Sequence, residues 1–437
     1  MSRPRNPQHA TPWLVLVAGL VTTACTEKLV APGPCPDFCP PGLTTRDTVL
    51  RTALGRDSAF RGYWRPHEVI ELLVTNQPSV RSYALSRSGT IPHTRQFGSD
   101  TTPNPIVGVD SVMMTVTVFR RDTAAHNLRL HFFRISKTFD STATFADADQ
   151  WLTDSLVRSV NVDSLIALPG RRDPTTRDSV FVDTVGTAIR LLLQFDSAQA
   201  PYLQADSGVL AFGIAVSADT PTTVRLGASH AGGRGAGIFT TWFLRVDSLG
   251  ADTIPWTPAP LAGTTFDTFV FGPPAAAVDS TLVVGGMPAA RSLLRVDLPP
   301  GIRDSSQVIR ATLLLVPDVA AAGAPADSFV LAAVRVDADL GAKSILGDFL
   351  RDSSNVALAW ISIGSTDTVR IEMTRMVRAW TADTTRPAAF MLLQSTEPSR
   401  IIEGNSFAEI RFKPSGDTAF RPTLHVTYAP RFRFEVP

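Results

Sequence analysis

The 437-residue chain has only three cysteines, Cys25, Cys35 and Cys39, and all of them precede residue 40. Nothing beyond that point can rest on disulfides or thiolate chemistry. The formal net charge is +1, which excludes the strong basic field expected of a nucleic-acid binder or of a protein held to acidic lipid by charge. Long helical periodicity is missing, and so is any apolar run long enough to span a bilayer. No G-x-S-x-G elbow occurs, and the scattered histidines share no ligand-like spacing; "HEVIE" at 67–71 lacks the second histidine of a zinc helix. Glycine-rich "GGRGAG" at 232–237 leads into a strand-like run, so it offers no helix N-terminus to a phosphate. These absences point to a chain without catalytic residues, resident metal or cofactor. Structural calcium stays open, because Asp-Ser and Asp-Thr pairs recur at Asp110, Asp178, Asp247, Asp267, Asp279, Asp304, Asp327 and Asp352. Most such pairs read as turn initiators.

What is present is β-forming. Apolar runs of strand length recur between Gly, Pro and Asp-Ser signals from residue 46 onward. The N-terminus has a different character: Arg3 and Arg5, an apolar run from Trp13 to Val21, and small residues before Cys25. This is an export signal over 1–24 whose end resembles a bacterial lipobox, although Thr22 stands where Leu is usual. It implies lipidation at Cys25, with the protein exported and anchored by lipid, an outer-membrane location being expected. Residues 25–45 form a proline-rich tether, in which a Cys35–Cys39 disulfide loop is favoured over two free thiols.

The segment "ARSLLRVDLPPGI" at 290–302 alternates Ser292, Leu294, Val296 and Leu298 with Arg291, Leu293, Arg295 and Asp297. One face is core and the other is wet or paired. The same order of runs occurs twice. "VRSYALSRSGTIP" matches "ARSLLRVDLPPGI", "VDSVMMTVTVFR" matches "QVIRATLLLVP", and "LRLHFFRIS" matches "SFVLAAVRV". Helix-like patches follow at "ADQWLTDSLV" and "SILGDFLRD". "GVLAFGIAVS", "TTVRLGAS" and "TTWFLRVD" then match "AAFMLLQST", "FAEIRFKP" and "PTLHVTY". Met373, Met376, Val377 and Trp380 lie on one face of a short helix. The expectation is an all-β protein of two tandem jelly-roll-like antiparallel β-sandwiches with short helical turns. The domains would span 46–251 and 262–430, with a proline-rich linker at 252–261 and a tail at 431–437.

Through "FDTFVFGP", "STLVVGGM", "RSLLRVDLP", "VIRATLLLV", "VRIEMTRMVRAW" and "RPTLHVTY", the second half resembles the DNRLRE-domain family. These are secreted β-sandwich modules related to carbohydrate-binding modules; the first half resembles them more distantly. The resemblance implies binding of polysaccharide and no catalysis. Arg291, Arg295, Arg411 and Lys413 form an outward cationic row suited to an acidic chain, and Trp360 is a candidate for stacking on a sugar ring. Two competing readings stay open. The charges could be a structural ladder across strands, and the protein an adhesive envelope scaffold that contacts other proteins. A polysaccharide-degrading enzyme with a site on scattered loops is the third reading.

Overall fold

The computed structural model describes residues 45–431 apart from 52–53, 91–92, 97–101, 154, 184–187, 196–208, 230–236, 247–253, 259–263, 274–280, 324–327, 349–351, 396–402 and 405. The expected signal, Cys25, Cys35 and Cys39 therefore lie outside the described residues. The fold is all-β, with antiparallel sheets and a few short helices.

Among the described residues twenty-five strands follow in order. The N-terminal pair is β1 (Arg46–Leu50) and β2 (Arg56–Tyr63). The first half contains β3 (Glu71–Gln77), β4 (Val80–Ser88), β5 (Thr94–Arg95), β6 (Asn104–Arg121), β7 (Arg129–Arg134) and β8 (Leu156–Asn161). It continues with β9 (Ser179–Val182), β10 (Ile189–Phe195), β11 (Ala211–Ser217), β12 (Thr223–Gly227) and β13 (Ile238–Val246). A second pair follows, β14 (Ile254–Pro258) and β15 (Thr264–Gly272). The second half holds β16 (Leu282–Gly285), β17 (Ala289–Arg295), β18 (Ser306–Leu315), β19 (Ser328–Ala338) and β20 (Ile345–Leu346). It closes with β21 (Val356–Ser362), β22 (Val369–Glu372), β23 (Ala389–Ser395), β24 (Glu409–Phe412) and β25 (Thr423–Pro430). The helices are α1 (Phe145–Trp151), α2 (Val162–Ala167), α3 (Pro300–Arg303) and α4 (Thr374–Ala382).

In the second half a four-stranded sheet, β1-β25-β18-β22, packs on a larger sheet built around β21-β19-β23-β17-β2 with β16 and β24 beside it. Alternate residues of both sheets meet in one core. Leu313, Ile371 and Leu424 come from the first sheet, and Leu294, Leu331, Leu392 and Phe412 from the second. Helix α4 lays Met376, Val377 and Trp380 on that core, as the spacing requires. In the first half the 18-residue β6 pairs with β10 and β13, then with β12 near its end, and all of these strands belong to one 13-stranded sheet, so the expected first sandwich of two separate sheets is not what the pairing shows. Val112, Met114, Val116, Trp242, Phe132 and Phe195 are buried there.

The two halves share one pairing scheme. Strand β6 lies between β10 and β13 as β18 lies between β22 and β25. Strand β11 lies between β4 and β7 as β23 lies between β17 and β19, and β12 pairs with β3 as β24 pairs with β16. Strand pairing nevertheless crosses the expected domain boundaries. Strands β1 and β2, which precede the first half, pair with β25 and β17 of the second. Strands β14 and β15, which precede the second half, pair with β13 and β4 of the first. The expected linker at 252–261 is thus partly strand. Pro258 stands opposite Phe243, which proline tolerates because β14 pairs on one side only.

Two further expectations change. The patch "SILGDFLRD" contains no helix among its described residues: Ile345–Leu346 bridges to β19, and Asn355 Nδ2 donates to the Asp348 carbonyl at 2.9 Å where the chain turns. The outward face of β17 is not wet in its middle either. Leu293 is buried with Val336, Ala389 and Met391 in a small apolar cluster on that side.

Candidate functional site

The charges on β17 take their meaning from this crossing. Arg291 donates Nε to Glu403 Oε1 at 3.0 Å and a terminal nitrogen to Oε2, while its guanidinium lies 4.0 Å over the Tyr63 ring. Trp64 Nε1 donates to the same Glu403 Oε2 at 3.1 Å. Tyr63 and Trp64 are the point at which the chain leaves β2 for the first half, so this cluster, built on the buried Glu403, pins the crossing. Burial raises the Tyr63 hydroxyl pKa, against the lowering effect of Arg291.

The other members of the predicted cationic row are also engaged. Arg295 donates to both oxygens of Asp339, at 2.5 and 3.0 Å. Those bonds hold the Asp339 carboxyl below the usual carboxylate range, the hydrogen bond from Arg295 being the largest cause. Arg411 Nε meets Glu409 Oε1 at 3.0 Å, and Arg61 reaches the other oxygen of Glu409 at 2.6 Å. Lys413 pairs with Asp318. All four cations therefore face acids of their own chain, as a structural ladder requires. Trp360 differs: it is 64% exposed, on β21, which among the described residues pairs with β19 alone. Trp242 and Trp380 are core residues, as their spacing suggests.

A different surface has the form of a site. The outer face of the four-stranded sheet holds a shallow groove of about 450 Å³. Strand alternation sends Leu424, Val426, Ala311, Leu313, Val369 and Ile371 inward, and so turns His425, Thr427, Arg310, Thr312, Leu314, Arg370 and Glu372 outward. Strand register aligns them in rows: Val49, His425, Thr312 and Glu372 face one another across four strands, and Asp47, Thr427 and Arg310 form the next row. Thr427 Oγ1 donates to Asp47 Oδ1 at 2.5 Å. Arg310 stands 3.5 Å from Glu372, both well exposed. Glu372 Oε1 also accepts from the Thr374 backbone N–H at 3.1 Å, at the start of α4.

Arg370 is exposed, and its side chain makes no hydrogen bond or ion pair with the described residues. It lines both the groove and a second recess of about 320 Å³ at the β21 and β22 edges, which Trp360, Ser365 and Asp367 also border. The groove thus joins two unpaired donors, Arg370 and His425, with exposed carboxylates and hydroxyls. Among the described residues no three His, Cys, Asp or Glu side chains gather as a metal site would require. The polar face of the final strand, Thr423, His425 and Thr427, was visible as alternation in the sequence. Its neighbours Arg310, Thr312 and Arg370 were not, because register is set by tertiary pairing.

No family model and no curated protein matches the chain. Among solved structures, it is similar to the C-terminal domain of the antigen I/II-family protein AspA of Streptococcus pyogenes, with 8% identity over 90% of this chain and 92% of that one, at a TM-score of 0.14. It is also similar to the C-terminal domain of the BspA polypeptide of Streptococcus agalactiae, with 6% identity over 74% and 76% of the two chains, at a TM-score of 0.12. Likenesses this slight carry no structural or functional weight.

Proposed function

We propose that the groove on the four-stranded sheet binds a polysaccharide without catalysis, in an exported protein anchored by lipid at Cys25 to the cell envelope. The observation that carries this reading is Arg370, an unpaired cation shared by the groove and the recess beside Trp360. Sugar hydroxyls or a uronate carboxylate can take its donors, and the hydroxyls of Thr312 and Thr427 supply further polar partners along the same face. The DNRLRE resemblance supports the same class of ligand. Arg291, Arg295, Arg411 and Lys413 are no longer the residues to expect on the ligand, since acids of the chain occupy them.

Affinity electrophoresis through gels containing polygalacturonate, alginate or xylan tests the reading. Wild-type protein is expected to be retarded in at least one gel, and Arg370→Ala to lose about three- to tenfold of that affinity with an unchanged melting temperature. Free migration in every gel would end the proposal.

A second reading, an adhesive scaffold, draws on the first half. There the corresponding sheet face turns Met113, Thr115, Leu192, Phe239 and Phe243 outward, with Phe181 on the neighbouring strand 62% exposed. That face suits contact with protein better than with sugar.

A further inference from the structure

We propose that two copies of this chain exchange their N-terminal strand pairs, so that β1 and β2 of each complete the second half of the other. The exchange within one chain is the basis. Strand β1 extends one sheet through β25 and β2 extends the facing sheet through β17; β14 and β15 likewise pair with β13 and β4 of the first half, both within its one 13-stranded sheet. Each pair leads in sequence into one half and completes the other half. A pair that already reaches across to a half it does not adjoin in sequence can reach the same half of a second copy with its register unchanged.

Only the connection from β2 to β3 must change course. Trp64, the residue after β2, has φ of 54°, left-handed backbone that a bulky residue seldom adopts. Arg65 to Glu68 then form a tight turn: the Glu68 N–H donates to the Arg65 carbonyl at 2.8 Å, and the Arg65 N–H to Glu68 Oε2 at 2.9 Å. Pro66 biases Arg65 toward extended backbone, the conformation an opened hinge would take. Val69, immediately beyond, is already buried in the core of the first half. A short, strained hinge loop is the setting that invites exchange of strands between copies.

The partner is a second copy because the surface offered is that of β17 and β25, whose matching strands this chain itself carries. Arg291, Glu403 and Tyr63 would meet in the same way whether β2 came from the same chain or from the other.

The test uses the full chain with Cys25, Cys35 and Cys39 changed to serine and with Arg56→Cys and Asp297→Cys introduced. These two exposed side chains form an ion pair at 2.9 Å between the N-terminal pair and the second half. After refolding at high concentration, a short bismaleimide is added and the products are separated on a denaturing gel. Exchange gives covalent dimer, and deleting two residues from the 65–68 turn should raise its fraction several-fold. Covalent dimer between two copies of different tagged length shows that the link joins chains. Internal cross-linking alone, at both hinge lengths, overturns the proposal. So does a dimer by native mass spectrometry that yields only internally linked monomer.

Discussion

Glu403→Gln removes the charge that Arg291 and Trp64 share at the crossing, and the structure allows its cost to be worked out. The Glu403 side chain is 5% exposed and that of Arg291 16%. Glutamine keeps the shape and can still accept from Trp64, but it leaves the largely buried Arg291 guanidinium without a counter-charge. Breaking a buried pair by removing one partner costs about 3–5 kcal/mol, a large part of a domain stability of roughly 5–15 kcal/mol. The exposed pair Arg56–Asp297, with side chains 66% and 65% exposed, is the control. Arg56→Ala there should cost under about 1 kcal/mol. Equilibrium urea unfolding, followed by tryptophan fluorescence and by circular dichroism, measures both. If Glu403→Gln falls within about 1 kcal/mol of Arg56→Ala, the cluster is not what fixes the crossing, and the account given for the charges on β17 fails. Glycine is also required beside it. Gly404 has φ of 80°, and a Cβ there would lie 2.8 Å from Trp64 Cβ and 2.9 Å from Val69 Cγ1.

Two further outcomes follow from the fold. Residues 262–430 expressed alone should fail to give a cooperative transition, because β17 and β25 each lose one partner strand and β15 loses β4; fusing 46–63 behind 430 through a short turn should restore one, as Arg46 already lies beside Tyr428. Circular dichroism melts of the two polypeptides decide this, and equal behaviour would refute it. His131 is held by Ser217 Oγ on Nε2 at 2.7 Å and by Ser159 Oγ on Nδ1 at 3.0 Å, and burial followed by the Arg129 charge lowers its pKa from 6.5. The unfolded chain therefore takes up this proton first as pH falls, so its contribution is complete above pH 6.5 and is lost as pH falls through the lowered value. Wild type should lose more stability over that range than His131→Gln, and identical pH profiles would contradict the reading.

Much of the fold was legible because a half-buried strand writes its alternation into the sequence. The repeat was legible because both halves write it in the same order: β4 with β17, β6 with β18, β11 with β23. The exchange of strand pairs was not legible. "RDTVL" and "DTIPWTP" look the same whichever edge they join, since pairing partners depend on chain path and not on local period. The ion partners of the row were hidden for the same reason: Glu403 lies 112 residues from Arg291, and Asp339 lies 44 from Arg295. Arg370 was passed over because a single exposed arginine in "TVRIE" gives no local sign of having no acid beside it.

The antiparallel meeting of β1 and β25 has a mechanical consequence. Arg46 stands opposite Tyr428, so the chain enters and leaves this body at the same end of one hydrogen-bonded ladder. Tension between those two ends loads the ladder rung by rung and does not shear all its bonds together, so β1 peels first. Asp47, Thr48 and Val49 go with it, and they are one wall of the groove. A pull through the chain ends would open that groove before it disturbed either core, so the shape of this face would depend on how hard the protein is drawn.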